Sequence, residues 1–201
     1  METRLFKSTY IYGLMNNGKR YLIITLLIIL IGFIFFKPNL ILPGKLLYEI
    51  GKMKYRLGDH GDYHTGLEST IYFLEGAIRK GVAERKVFDI LSTCYLLSGK
   101  NKDAERVFTL ALKHYPRDAE FYFYRGNARK KLSNFKSAYK DYDKLISLDR
   151  NFKYIKDVYY DRGAMAHMLG DINEANKDWH KAQKLANYEL RSYEDYCQSL
   201  K

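Results

Sequence analysis

Phe88-x2-Leu91-Ser92-x2-Tyr95-x3-Gly99, followed by Ala104-x3-Phe108-x2-Ala111 and Pro116, is the clearest copy of a pattern that the chain repeats three times. Thirty-four residues further on, Gly126, Phe135, Ala138, Tyr142, Leu145 and Leu148 take up the same register. After a slip of three residues it returns as Tyr159, Gly163, Gly170, Ala175, Trp179, Ala182 and Leu185. Small residues such as Ala104, Ala138 and Ala175 let the second helix of a hairpin (helix B) approach the first (helix A). Phe108, Tyr142 and Trp179 then plug the gap to the next hairpin. A single hairpin of this kind cannot bury its apolar face alone, so the copies must stack.

This pattern resembles the tetratricopeptide repeat (TPR), whose signature is an aromatic, Leu-Gly, an aromatic, Ala-x3-Phe and a closing Pro. The departures are specific: Arg125 and Arg129 stand where Leu and Tyr are usual, and Arg150 replaces the terminal Pro. The resemblance implies an all-α, TPR-like helical-hairpin solenoid. Its helices are expected at 84–98, 101–114, 118–132, 135–149, 155–169 and 172–186, which gives repeats over 85–118, 119–152 and 156–187. A degenerate repeat over 45–81 is expected before them, with Gly61-Asp62-Tyr63 at its turn and Gly81 as the cap of its second helix. Residues 188–201 have no partner copy. Their polar residues suit a C-terminal capping helix with Leu190, Tyr193 and Cys197 turned inward.

Composition agrees with a folded chain, since 47% of residues are apolar and 28% charged. The net charge of +11 is uneven: residues 1–45 hold six Lys or Arg against Glu2 alone. Elsewhere bases and acids alternate, as in Glu105-Arg106 and Lys140-Asp141, which reads as solvated helix surface. No stacking platform or recognition motif accompanies the charge, so nucleic acid is not an expected partner. Cys94 and Cys197 lack CxxC spacing and form no disulfide framework.

Residues 1–20 form a basic tail with Arg4, Lys7, Lys19 and Arg20. Residues 21–36, Tyr21 to Phe36, carry no charge, and Lys37-Pro38 closes the run. At 1.5 Å per residue the run spans ~24 Å, short of the ~30 Å hydrocarbon core. Snorkelling by Lys19, Arg20 and Lys37, with interfacial Tyr21, Phe35 and Phe36, closes most of that gap. No small-x-small cleavage site follows Phe36, so a single uncleaved transmembrane helix in contact with the lipid bilayer is expected. Residues 37–44 form the linker, broken at Pro43-Gly44. Basic residues flank both ends, but a short basic tail before a first span usually stays in the cytoplasm. The solenoid, 45–201, is therefore expected on the exported side of a membrane.

Asp59-His60-Gly61-Asp62-Tyr63-His64 has the residue types of a metal site, but a turn at Gly61 would splay the two imidazoles. Neither a metal nor a cofactor is expected. There is also no GxSxG, HExxH, phosphate-cradling Gly-rich loop or matched Cys–His pair, so no catalytic residues are assigned.

The resemblance implies a binding role instead, through a groove lined by the A helices. Carried onto this sequence, the groove positions are Asp89, Thr93 and Leu96; then Phe123, Tyr124, Asn127 and Lys130; then Tyr160, Asp161, Ala164 and His167. Asp89 and Phe123 occupy positions where a chaperone-tail carboxylate clamp would have Lys, so that clamp is not expected. An apolar or aromatic anchor with a few polar contacts fits better. The expected function is a membrane-anchored TPR adaptor or scaffold that holds a partner peptide or helix in its groove. The alternative is a structural accessory subunit of a large membrane assembly, packed by neighbouring subunits and without a free groove.

Overall fold

The computed structural model describes residues 22–57 and 63–200, and every regular element among them is a helix. In chain order these are α1 (22–36), α2 (Pro38–Ile41), α3 (Gly44–Leu57), α4 (Tyr63–Arg79), α5 (Arg85–Leu97) and α6 (Asn101–His114). They continue as α7 (Ala119–Lys131), α8 (Phe135–Leu148), α9 (Ile155–Met168), α10 (Ile172–Leu185) and α11 (Tyr193–Gln198). The pairs α3–α4, α5–α6, α7–α8 and α9–α10 pack as hairpins, and each hairpin stacks on the next. The Asp59–His64 cluster lies outside the residues whose side chains are described.

Gly99, Ser133 and Gly170 occupy the same place in three successive A–B turns, and all adopt positive φ, at 70°, 56° and 84°. Each turn closes with the same long bond: Lys100 N to Tyr95 O, Asn134 N to Arg129 O, and Asp171 N to Ala166 O, at 2.8–2.9 Å. This is a Schellman closure, which satisfies the last carbonyls of helix A and costs least with glycine. Ser133 therefore carries a strain that its two counterparts avoid. Gly81, at φ 85°, ends α4 in the same way.

Phe108 and Tyr142 plug their hairpins with 2% and 0% exposure, and Gly126 makes room for the Tyr142 ring. Trp179 departs from the expected plug role. It packs against the edge of the core but is only half-buried, and its Nε1 donates to the Arg191 carbonyl at 3.4 Å. Among the described residues no further hairpin stacks there to finish the burial.

Two of the departures from the repeat pattern, Arg125 and Arg129, converge on one buried carboxylate. Arg125 donates through two nitrogens to Asp141, at 3.0 and 2.6 Å, and Arg129 adds a third bond to Asp141 at 2.8 Å. One hairpin later Arg162 grips Asp178 in the same fork, at 2.7 and 2.8 Å. In the repeat before that of Arg125 these two positions are Leu91 and Val107, both at 0% exposure. A buried aliphatic pair has thus become a buried ion pair in two successive hairpins. The fork geometry matches guanidinium to carboxylate and satisfies both groups where water is excluded. Arg162 also reaches Asp143 of the previous hairpin at 2.6 Å, tying adjacent units together.

The amino-terminal end differs from expectation in two ways. The 37–44 linker contains α2, fixed to α4 by Asn39 Nδ2 donating to the Tyr72 carbonyl at 2.8 Å and by Lys80 Nζ donating to the Leu40 carbonyl at 3.2 Å. Among the described residues no helix is long and apolar enough to cross a membrane. The described part of the apolar run, α1, is ~22 Å long at 1.5 Å per residue. Its side chains are nonetheless almost all exposed, from Leu22 at 61% to Phe36 at 81%.

Candidate protein-binding strip

The A helices α5, α7 and α9 present the expected strip, and its two ends are in different states. On α5, Asp89 pairs with Lys86 one turn earlier at 3.4 Å, and the Thr93 hydroxyl turns back to the Asp89 carbonyl at 2.8 Å. Asp89, Thr93 and Leu96 are half-buried, and among the described residues their side chains make no cross-helix hydrogen bond or ion pair. On α7, Tyr124 stacks on Phe108 of the preceding hairpin, with ring centroids 5.9 Å apart. Phe123 sits among Tyr124, Phe152 and Tyr154 at 5.3–5.4 Å. Phe123 and Tyr124 join hairpin to hairpin and are half-buried. Asn127, expected in the groove, is half-buried and accepts the Tyr142 hydroxyl at 2.7 Å.

The other end of the strip is already occupied. The expected capping helix over 188–201 shortens to α11, which starts at Tyr193 because the Ser192 side chain caps Asp195 N. Instead of only closing the stack, α11 lies against α9 and reaches α7. The Tyr196 hydroxyl donates to Asp161 at 2.8 Å and accepts from Lys130 at 3.1 Å, while Lys130 pairs with Asp161 at 2.6 Å. Tyr160 packs between the rings of Tyr193 and Tyr196, at 5.3 and 5.0 Å, and its hydroxyl donates to the Arg191 carbonyl. Burial, with Tyr196 beside it, pushes the Tyr160 phenol up to about 12. Tyr193 and Cys197 turn inward at 4% and 3% exposure, whereas Leu190 is only half-buried. Gly163 leaves the space that the Tyr193 hydroxyl enters. That hydroxyl is buried and has no hydrogen-bond partner among the described residues. His167 completes the set, with Nε2 3.8 Å from Glu194.

Lys130, Tyr160, Asp161 and His167 are therefore drawn together around a short helix of the chain's own C-terminus, while Asp89 and Thr93 stay apart from them. Sequence reasoning placed Lys130 and Asp161 separately but missed their link through Tyr196, because no helical period connects residues that far apart. A second network went unread as well. Arg85 bonds Asp118 and Glu120, both at 2.6 Å, and Lys153 bonds Glu120 at 2.7 Å. The Lys153 bond, assisted by Arg85 and opposed by burial, holds the Glu120 carboxyl below its usual range. Here a signal was present, since Arg85–Asp118 and Glu120–Lys153 are both spaced by 33 residues, close to the repeat length.

No family model and no curated protein matches the chain. Several solved structures do. MamA of AMB-1 superposes with a TM-score of 0.61 at 18% identity, over 73% of this chain and 75% of that one. MamA of MSR-1 gives 0.58 at 19% identity, over 72% and 77%. A tetratricopeptide repeat protein from Parabacteroides merdae gives 0.60 at 21% identity, over 77% of this chain and 59% of that one. At these identities the likeness is one of fold, and the chain is an all-helical, TPR-like solenoid.

Proposed function

We propose that the chain is a membrane-associated adaptor whose A-helix strip receives a helical segment of a partner protein. The observation that carries this reading is the seat of α11. Lys130, Asp161 and Tyr160 hold a short helix by one ion pair, one tyrosine hydroxyl and stacked rings. Helix-in-groove recognition uses the same elements, apolar anchors one turn apart with a few polar contacts to fix register. The strip continues past α11 onto α5, where Asp89, Thr93 and Leu96 extend it. A partner helix would engage that open half and meet α11 at the other.

The membrane part of the reading rests on residues 21–36. They are uncharged, and the described portion, α1, exposes its apolar side chains almost entirely. Burying such a surface in lipid removes from water an area that no part of the described fold covers. The four bases of the preceding tail favour a solenoid on the exported side.

The test is co-purification in mild detergent, with melting curves for each variant. Asp89→Lys with Thr93→Lys should lose the partner at an unchanged melting temperature. Lys140→Ala with Lys144→Ala, both exposed on α8, should keep it. The opposite pattern would replace the adaptor reading with that of an accessory subunit held through its helix B face. For the anchor, the intact chain should resist carbonate extraction; its release into the soluble fraction would refute membrane attachment.

A further inference from the structure

α3 carries two apolar stripes, and only one is used. Leu47, Tyr48 and Gly51 face the core, where Leu47 is fully buried and Gly51 admits the Leu74 side chain. The second stripe is Leu46, Ile50, Met53 and Leu57, at steps of four, three and four. At 100° per residue these four fall within an arc of about 60°, turned well away from the core stripe. Leu46, Met53 and Leu57 are 46%, 50% and 57% exposed. An inner helix of a solenoid would cover such a stripe with the preceding hairpin, but α3 opens the stack.

The charges around this stripe indicate what covers it. Lys45, Lys52 and Arg56 lie along one side and Lys54 along the other, against the single acid Glu49, which is paired with Lys52 at 2.7 Å. A second copy of the chain, meeting this face with its own, would set these bases against each other. An anionic surface would be matched by them. The chain also enters α3 directly from the exposed apolar helix α1, through α2, where Leu40 is 68% exposed. An amphipathic helix with basic flanks beside an apolar segment has the make-up of an interfacial helix, which rests its apolar face at the headgroup–acyl boundary.

We propose that the Leu46–Ile50–Met53–Leu57 face of α3 lies on an anionic lipid surface and fixes the orientation of the solenoid's first hairpin against the bilayer. This inference rests on the membrane attachment proposed above, and the experiment separates the two. The full chain, carrying Trp179→Phe to remove the natural fluorophore, is reconstituted with one reporter, either Met53→Trp on the stripe or Lys144→Trp on α8. The vesicles are phosphatidylcholine, with or without phosphatidylglycerol, and brominated lipid serves as quencher. Flotation reports attachment independently, and far-UV circular dichroism confirms that each variant is folded.

The Met53→Trp reporter should shift to the blue and lose most of its emission to brominated lipid in the phosphatidylglycerol vesicles. It should respond much less in phosphatidylcholine alone or at high salt, and the Lys144→Trp reporter should respond in neither. Adding Lys52→Gln, Lys54→Gln and Arg56→Gln should abolish the quenching while the chain still floats with the vesicles. If the chain floats but the Met53→Trp emission is unquenched, the α3 inference is wrong and the attachment stands. If the chain does not float, both are wrong. A blue shift that persists without lipid, together with a dimeric mass, would show that a second copy covers the stripe and would overturn the lipid assignment.

Discussion

Removing one side of the Arg162–Asp178 pair should cost far more than removing both. Arg162 is 7% and Asp178 0% exposed, and two hydrogen bonds of 2.7 and 2.8 Å join them. Burial opposes the Arg162 charge, but the Asp178 bonds and charge outweigh it and raise the guanidinium's affinity for its proton. Asp178→Ala would leave the guanidinium in a dry site with only the largely exposed Asp143 and a 3.7 Å approach to Glu174. Arg162→Leu would leave a fully buried carboxylate with Lys181 at 3.7 Å. Stranding one buried charge costs ~3–5 kcal/mol, and Asp143 keeps the first variant near the lower end. The double variant Arg162→Leu with Asp178→Val instead copies the Leu91–Val107 pair found two repeats earlier. It removes both desolvation penalties and gives up the Arg162 guanidinium's place over the Tyr139 and Tyr159 rings and its bond to the largely exposed Asp143, so it should lie within about 2 kcal/mol of the parent. At about 2–4 °C per kcal/mol for a chain of this size, Asp178→Ala should melt ~6–12 °C low, Arg162→Leu up to ~20 °C low, and the double variant no more than ~8 °C low. Thermal melts followed by circular dichroism read the whole cycle. A double variant as unstable as the sum of its singles would refute the idea that the ion pair stands in for an aliphatic one.

Trp179→Ala should cost less than the ~3–5 kcal/mol of a fully buried aromatic. The native emission should lie between those of buried and exposed indole, and a fully buried spectrum would contradict the structure. Ser133→Gly should raise the melting temperature, since a left-handed residue other than glycine costs ~1 kcal/mol; Gly170→Ala should lower it by a similar amount. The phenol of Tyr160 is held at about 12, against an unfolded value of ~10. Its stabilising effect is therefore complete below ~10 and is lost as pH rises through the folded value. Protection of α11 in hydrogen exchange, after correction for the intrinsic rate, should thus fall between these values and be steady from neutral pH to ~9. Loss of protection below that window would show that tyrosine ionisation does not release α11.

Much of the architecture was legible because the repeat is written in small and aromatic residues at a fixed spacing. The six helices from Arg85 to Leu185 lie within one residue of their expected bounds. Arg125 and Arg129 were recognised as departures, but their meaning depended on partners in helix B. Arg125–Asp141 and Arg162–Asp178 share a spacing of 16, a signal that two copies could have given. The C-terminal segment was harder to read. Its polar residues suit an outer face, and nothing local says that Tyr196 reaches Lys130, 66 residues away. Trp179 looked like a plug because its two counterparts are plugs. It is only half-buried at the edge of the core, which a repeat register does not describe.

A partner protein held on the A-helix strip, as proposed above, would lie within reach of Thr93 and Leu96. A photo-crosslinking amino acid at Thr93 or Leu96, compared with the same group at Lys140 or Lys144, tests this most directly. Irradiation of cells should give one discrete protein adduct from the two strip positions and none from the two on α8. Adducts confined to Lys140 and Lys144, with the strip silent, would contradict the account.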